Sequence, residues 1–440
     1  MINIDTIRTH PEILKKSLKK RNQEEKIEWI DLVLNQDKKW RQLKQKADKL
    51  RQKRNALAEE INKLKKAGKP IESKIRLAKD LPGKISTVEN ELNELKSEIN
   101  SYLCRLPNIL HDSVPEGNDD EGNVPFKFFK EPQTNSFELK PHGKIVEKLN
   151  LANFKKAADV TGAGFNYLMG DLALLDMALQ RFAIDELIKK GYTLVEPPLM
   201  LNKKAYDGTT DLSDFEKVMY KIDKEDLYLI ATSEHPLIAL HQNTVVEEKD
   251  LPLKYIGVSP CFRKEIGSHG VDSKGLFRMH QFNKVEQVII SNPEDSWAHF
   301  EELEKNSENL YRKLGLPFRV VNVCTGDMGT VAAKKYDIEA WYPREKKYKE
   351  VGSCSNCTDY QAVRSNIKFQ KGEERHYVHT LNNTAIATSR TMVAILENYQ
   401  QEDGTIIVPR ALRKYMNGKK KLGDKKNERR KRTKLIWWKS

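Results

Sequence analysis

Between Trp40 and Leu64 the apolar residues Trp40, Leu43, Ala47, Leu50, Leu57, Ile61 and Leu64 recur at alternating steps of three and four, with Arg54 in the one gap. Such a stripe keeps one side of a helix apolar along its whole length and predicts a partner helix packed against it. Ala67, Gly68, Lys69 and Pro70 then supply a helix stop. Beyond it Ile75, Ala78, Leu81, Ile85, Val88, Leu92, Leu95, Ile99 and Leu103 make a second stripe. Two helices joined by so short a turn must run antiparallel. A helix over residues 27–67 would extend roughly 60 Å at 1.5 Å per residue, more than a compact domain needs, so residues 1–105 are expected to form a helical arm. Pro82 and Gly83 sit inside the second stripe, where proline removes a backbone donor and crowds the preceding turn, so a kink or break is expected there.

The text changes at residues 106–135. Pro107, Pro115, Gly117, Gly122 and Pro125, with Asp119, Asp120 and Glu121 among them, read as an extended linker and a domain boundary. Over residues 136–416 amphipathic helical patterns, near 143–150 and 172–190, alternate with β-rich runs at 194–195, 227–231, 253–258, 282–290 and 318–323. The expected fold class is α+β: an antiparallel helical hairpin, then a domain built on a largely antiparallel sheet flanked by helices. The last stretch, residues 417–440, carries Lys419 to Lys421, Lys425, Lys426, Arg429 to Arg432 and Lys434, and closes on Trp437 and Trp438. Like-charge blocks of this density read as a disordered tail.

Composition narrows the function. The chain has 440 residues, enough for two folded units. Charged residues are 32% of it and the net charge is +14, which points to a polyanionic partner such as nucleic acid. Five cysteines, an odd and sparse set, do not suggest a disulfide framework and fit a reducing compartment. The N-terminus has no apolar run of signal-peptide length and no stretch approaches twenty uncharged apolar residues, so a cytoplasmic protein without a membrane partner is expected.

Three segments carry chemistry. In the first, Arg263 and Glu265 stand two apart after a β-rich run, glycines follow from Gly267 to Gly275, and Arg278, Phe282 and Glu286 lie on the return. Period-two alternation would bring all five to one sheet face, giving cations for a triphosphate and an aromatic plate for a base. In the second, Glu350 and Ser353 offer hard oxygen ligands suited to Mg²⁺ beside phosphate. In the third, Asn382 and Thr384 lie in a small-residue run leading into a helix over 391–399. Its start near Arg390 has free backbone donors and a positive dipole end that favour an anion. Each segment alone also fits an ordinary surface hairpin or helix start. Cys354 and Cys357 form a solitary pair, a weak zinc signal.

In this order the three segments resemble the signature motifs of class II aminoacyl-tRNA synthetases, and the wording around them, with the hairpin and Leu106-Pro107-Asn108, resembles the seryl branch of that family. The stretch from Gly191 through Pro197 and Pro198 looks like the family's first motif, which belongs to a homodimer interface; Arg263 and Glu265 look like the second, and the run through Arg390 like the third. The resemblance implies a serine–tRNA ligase using ATP and Mg²⁺. It implies that Arg263 binds the α-phosphate, Arg278 and Arg390 the outer phosphates, Phe282 stacks under adenine and Glu265 contacts the nucleotide. Glu350 and Ser353 would hold Mg²⁺. Thr232, Glu234, Arg263, Glu286, Asn382 and Thr384 would form the serine pocket, with Arg263, Arg390 and Glu350 carrying the chemistry. The arm would meet tRNA(Ser), and His269 could touch its acceptor end. The residues leave open tRNA(Sec) as a second acceptor, an RNA-binding paralogue without catalysis, and a ligase that loads another acceptor.

Overall fold

Two short helices, α1 (Ile4–Thr9) and α2 (Pro11–Lys20), precede the hairpin formed by α3 (Ile27–Lys66) and α4 (Glu72–Arg105). The computed structural model describes residues 1–133, 135–210, 216–265 and 275–423. The chain divides into two compact units, Met1–Ile109 and Leu110–Ser440. His269, Trp437 and Trp438 lie outside the described residues.

In the first unit both stripes are where the heptads put them. Ala47 and Leu57 of α3 are buried, as are Leu81, Ile85, Val88, Leu95, Ile99 and Leu103 of α4. Ion pairs Arg51–Glu89 (2.7 Å) and Glu60–Lys74 (3.0 Å) cross the hairpin, and numbers that rise on one helix while falling on the other fix the antiparallel sense. Asp37 occupies a seam position and is buried because two arginines reach it, Arg8 at 2.6 Å and Arg41 at 3.0 Å. Burial works against its charge, yet these cations outweigh it and hold the carboxyl below its usual range.

The expected break at Pro82 is absent: α4 runs through it. Pro82 and Gly83 both face solvent, while Leu81 and Ile85 on either side stay in the seam. Water can therefore serve the carbonyl that proline leaves unbonded, and the packing of the stripe holds the helix together.

The second unit is built on an eight-stranded sheet of β1 (Val124–Phe129), β2 (Thr193–Val195), β3 (Leu253–Phe262), β4 (Gln281–Ser291), β5 (Phe318–Asn322), β6 (Lys334–Tyr342), β7 (Lys347–Asn356) and β8 (His379–Ala387). Their spatial order is β1-β5-β6-β7-β8-β4-β3-β2. Every neighbouring pair is antiparallel except β2 and β3, which are parallel. The α+β expectation therefore holds. Four helices matter to the site: α5 (His142–Lys148), α6 (Gly170–Ile188), α7 (Ser296–Leu314) and α8 (Thr388–Asn398).

Strand alternation gives the sheet its two faces. Tyr336 packs on Phe300 of α7 and donates its hydroxyl to Glu301, so even-numbered residues of β6 look toward that helix. Lys335, Asp337 and Glu339 look the other way, onto the face that carries the site.

Three readings of the sequence change here. The stretch read as linker contributes β1, paired with β5, and Leu110 and Val114 pack with Val321, Val323, Met328 and Ala332. Its prolines and glycines hid a short strand that is bulged between Pro125 and Lys127. The run at 227–231 shrinks to Tyr228–Leu229, paired with Met200–Leu201 outside the main sheet. In the stretch read as a tail, Lys421–Leu422 pairs with Ile406–Ile407 and Leu422 is buried, so folded structure continues past residue 417. Among the described residues no helix is long and apolar enough to cross a membrane.

Candidate active site

The hairpin of β3 and β4 supplies the first wall. The β3 ladder closes with the Arg263 N–H donating to the His280 carbonyl at 2.9 Å. Glu265 then takes a left-handed φ of 45°, which turns the chain out of the strand. Arg263 and Glu265 thus do not share a strand face as expected; Glu265 reaches the cleft through the turn, where its carboxylate lies 4.0 Å from Arg278. The Arg263 guanidinium sits 5.3 Å over the Phe282 ring and its Nε donates to the Ala231 carbonyl at 3.2 Å. Along β4, Phe282, Lys284 and Glu286 project to one face by period two. Lys284 and Glu286 form an ion pair of 2.6 Å, both nearly buried. Sequence reading passed over Lys284, although it falls between two chosen residues in the same alternation.

The second wall depends on a bulge. Three residues apart, Glu350 and Ser353 would point to opposite faces of a regular strand. The β6–β7 register slips between them: Ile338 faces Gly352 while Glu339 faces Glu350, so Val351 is the extra residue. One inserted residue restores Glu350 and Ser353 to the same face. Ser353 sits opposite Asp337, and its hydroxyl bonds that carboxylate. Glu350 meets Arg390 at 3.1 Å, and Arg390 also donates to the Glu350 carbonyl at 3.0 Å. Burial would raise the Glu350 carboxyl, but Arg390, Lys335 and Arg263 together hold it down at about 2.

The third wall is β8 with α8. Thr384 is the direct cross-strand neighbour of Glu286. Asn382, two residues before it, donates to the Cys357 sulfur at 3.7 Å. Helix α8 begins at Thr388, ahead of the expected 391, so Arg390 stands in its first turn. Below this, the Thr232 hydroxyl accepts from the Glu234 N–H at 3.2 Å, and the Gln361 amide donates to the Glu234 carboxylate at 2.7 Å. Burial, seconded by the Glu286 charge, raises Glu234 to about 7 against the pull of Gln361, Lys284 and Arg263.

Arg263, Glu265, Arg278, Phe282, Lys284, Glu286's neighbour Thr384, Glu350 and Arg390 line one cleft, together with Phe277. Thr232, Glu234, Glu286, Asn382 and Ser353 are not in its lining; Glu286 is the cross-strand neighbour of Thr384, which is, and Glu234 is tied to it through the charges of Glu286, Lys284 and Arg263. Cys354 and Cys357 are buried with different partners, Cys354 donating to the Phe300 carbonyl at 3.7 Å, and burial pushes both thiols up. Among the described residues no group of three or more His, Cys, Asp or Glu side chains is arranged to hold a metal.

Cations converging with an aromatic plate on the open face of an antiparallel sheet suit a nucleoside triphosphate. The polar pair Glu286 and Thr384 behind them suits a small zwitterion with a hydroxyl. That combination suits an enzyme that activates an amino acid with a nucleotide, and residues 217–399 match the family described as tRNA synthetase class II core domain (G, H, P, S and T), which sets the class as class II aminoacyl-tRNA synthetase. Residues 1–110 match the seryl-tRNA synthetase N-terminal domain. The serine–tRNA ligase of Methanospirillum hungatei is 55% identical over 425 residues, covering 96% of this chain and 100% of that protein. The crystal structure of seryl-tRNA synthetase from Pyrococcus horikoshii complexed with ATP is similar with a TM-score of 0.89 and 48% identity, covering 96% of this chain and 99% of that one. The cytoplasmic serine–tRNA ligase from Naegleria fowleri in complex with AMP gives a TM-score of 0.85 at 35% identity, covering 96% and 98%. The chain belongs to the seryl-tRNA synthetase family.

Proposed function

We propose that the chain is a serine–tRNA ligase that activates L-serine with ATP to seryl-adenylate and transfers the seryl group to the 3′ end of tRNA(Ser). The observation that carries this is the convergence, in one cleft, of Arg263, Arg390, Phe282 and Thr384, with Glu286 directly across the strand pair from Thr384. The P. horikoshii relative binds ATP, which supports the same substrate here.

In the first step the serine carboxylate attacks the α-phosphorus in line. A carboxylate–phosphorus bond forms, the bond to the β-phosphate oxygen breaks, and pyrophosphate leaves. Two anions must meet, so the residues' task is charge neutralisation and alignment. Arg263 holds the α-phosphate, Arg278 and Arg390 the outer phosphates, and Phe282 lies under adenine, with Glu265 against the nucleotide. No general base is needed, because the carboxylate is already ionised. Glu286, Thr384, Thr232, Glu234 and Asn382 take the ammonium and hydroxyl of serine. A pocket of this kind rejects alanine by leaving buried polar groups unpaired, and larger side chains by size.

Glu350 and Ser353 fit a hard cation: the bulge at Val351 aligns them, and Glu350 keeps its charge well into acid. They would hold Mg²⁺, which would neutralise phosphate charge when bound. Nucleotide binding would then release Arg390 from Glu350 to meet phosphate. In the second step a ribose hydroxyl of the tRNA attacks the seryl carbonyl and adenosine monophosphate leaves.

The helical arm supports tRNA binding, since Arg41, Lys44, Lys46, Lys49, Arg51 and Lys53 are all exposed outside the seam and can track phosphates without reading bases. A homodimer is proposed on the first-motif segment around Pro197 and Pro198, where the sequence neighbours Leu194, Leu199 and Met200 are exposed. A cytoplasmic location follows from the substrates. tRNA(Sec) is a candidate second acceptor.

The test is ATP–pyrophosphate exchange across the amino acids. Serine drives exchange, and alanine and threonine do not to a comparable extent. Threonine-driven exchange equal to that with serine removes the seryl assignment.

A further inference from the structure

One buried histidine far from the motifs in sequence touches the return limb of the β3–β4 hairpin. His142 opens α5 and is 6% exposed. Its Nε2 accepts the Leu276 backbone N–H at 3.2 Å. Its Nδ1 lies 3.4 Å from Oε1 of Glu397, a 1% exposed carboxylate in the last turn of α8. Arg344 approaches the same oxygen at 3.5 Å.

The partners set the tautomer. A backbone N–H can only donate, so Nε2 carries the lone pair, and the ring proton sits on Nδ1, directed at the carboxylate. The ring gets this close because residue 275 is glycine: a Cβ there would lie 2.3 Å from Nε2, and the φ of 116° is itself one that side chains rarely adopt. The Leu276 side chain is buried, and loss of the imidazole would strand its N–H.

Directly after Leu276 the chain enters the nucleotide side of the cleft. Phe277 lies 5.4 Å beneath the Arg390 guanidinium and edge-on to Tyr342 at 5.3 Å. Arg278 faces Glu265. The imidazole therefore joins the limb bearing Phe277 and Arg278 to the far end of the helix whose first turn bears Arg390.

We propose that His142 is a positioning residue for ATP, setting through the Leu276 backbone where Phe277 and Arg278 stand relative to Arg390. This rests on the ligase reading for the identity of the nucleotide. It goes beyond that reading in assigning a role to a residue outside the three motifs and outside the cleft.

The experiment is calorimetric titration of the full-length protein with ATP and, separately, with serine, which needs no turnover and so stands apart from the exchange assay. His142→Gln can place an amide oxygen where Nε2 accepts. His142→Asn can reach only the Nδ1 side and strands the Leu276 N–H. The Asn variant should weaken ATP binding about tenfold, the scale of one orphaned buried donor, with the serine Kd within about twofold of the parent. The Gln variant should recover most of the ATP affinity. An unchanged ATP Kd in the Asn variant overturns the proposal, as does equal weakening for both ligands that Gln fails to rescue, since that is the signature of general destabilisation. If the Asn variant does not fold, Gly275→Ala decides. Its methyl displaces the ring without removing it and its φ of 116° also strains the same limb, so it should weaken ATP selectively; an unchanged ATP Kd there refutes the role. Absence of serine-dependent exchange in the parent chain would count against the ligase reading and leave the calorimetric comparison intact.

Discussion

Glu234 gives a pH dependence that can be worked out before measurement. In the proposed serine pocket Glu234 is the anion that receives the ammonium, and burial beside Glu286 raises it from the ordinary 4.5 to about 7. The sign is that of a raised acid: below about 7 the free enzyme carries Glu234 largely protonated, and the binding-competent anion appears as pH rises through that value. With such a pKa the ionised fraction is about one tenth at pH 6 and about one half at pH 7, so kcat/KM for serine should rise about fivefold over that interval. Serine-dependent exchange at subsaturating serine and saturating ATP and Mg²⁺ reads this directly. Glu234→Gln carries no charge at any pH; it should lower kcat/KM and flatten the profile, which separates Glu234 from the titration of ATP itself. A parent profile that is flat from about pH 6 to 7.5, or a Gln variant with the parent's slope, refutes the role given to this carboxylate.

Two other perturbations reach different parts of the account. Arg390→Ala removes the cation that meets Glu350 at 3.1 Å and would meet phosphate, so exchange should fall about 10² to 10³-fold while the oligomeric state measured by light scattering is unchanged; near-normal exchange would mean that the third motif is misassigned. Replacing residues 30–104 by a short Gly-Ser linker should spare serine activation yet raise the KM for tRNA severely, and a truncated enzyme that charges tRNA as well as the full chain would show that the arm is not the recognition element.

The parts of this molecule legible in the sequence are those set by local periodicity. Heptad spacing revealed α3 and α4 because seam residues three and four apart need no distant information. Alternation likewise pointed to Phe282 and Glu286 on β4. What alternation could not supply was the slip at Val351: by parity Glu350 and Ser353 point apart, and only the pairing with β6 reveals the extra residue. The left-handed φ at Glu265 was hidden for a similar reason, since nothing about a glutamate announces a turn. Pro82 misled in the other direction, because its penalty depends on which face of the helix it occupies. His142 was invisible, lying 134 residues from Leu276 and 255 from Glu397, partners that only the tertiary fold brings to it.

The most direct test of the central claim is charging itself: purified full-length protein, ATP, Mg²⁺, labelled serine and tRNA(Ser) transcript, with a tRNA for a different amino acid as control. Seryl-tRNA should form on tRNA(Ser), dependent on ATP and lost in Arg390→Ala. Adenylate formation without transfer to tRNA(Ser), or equal charging of the control, would contradict it.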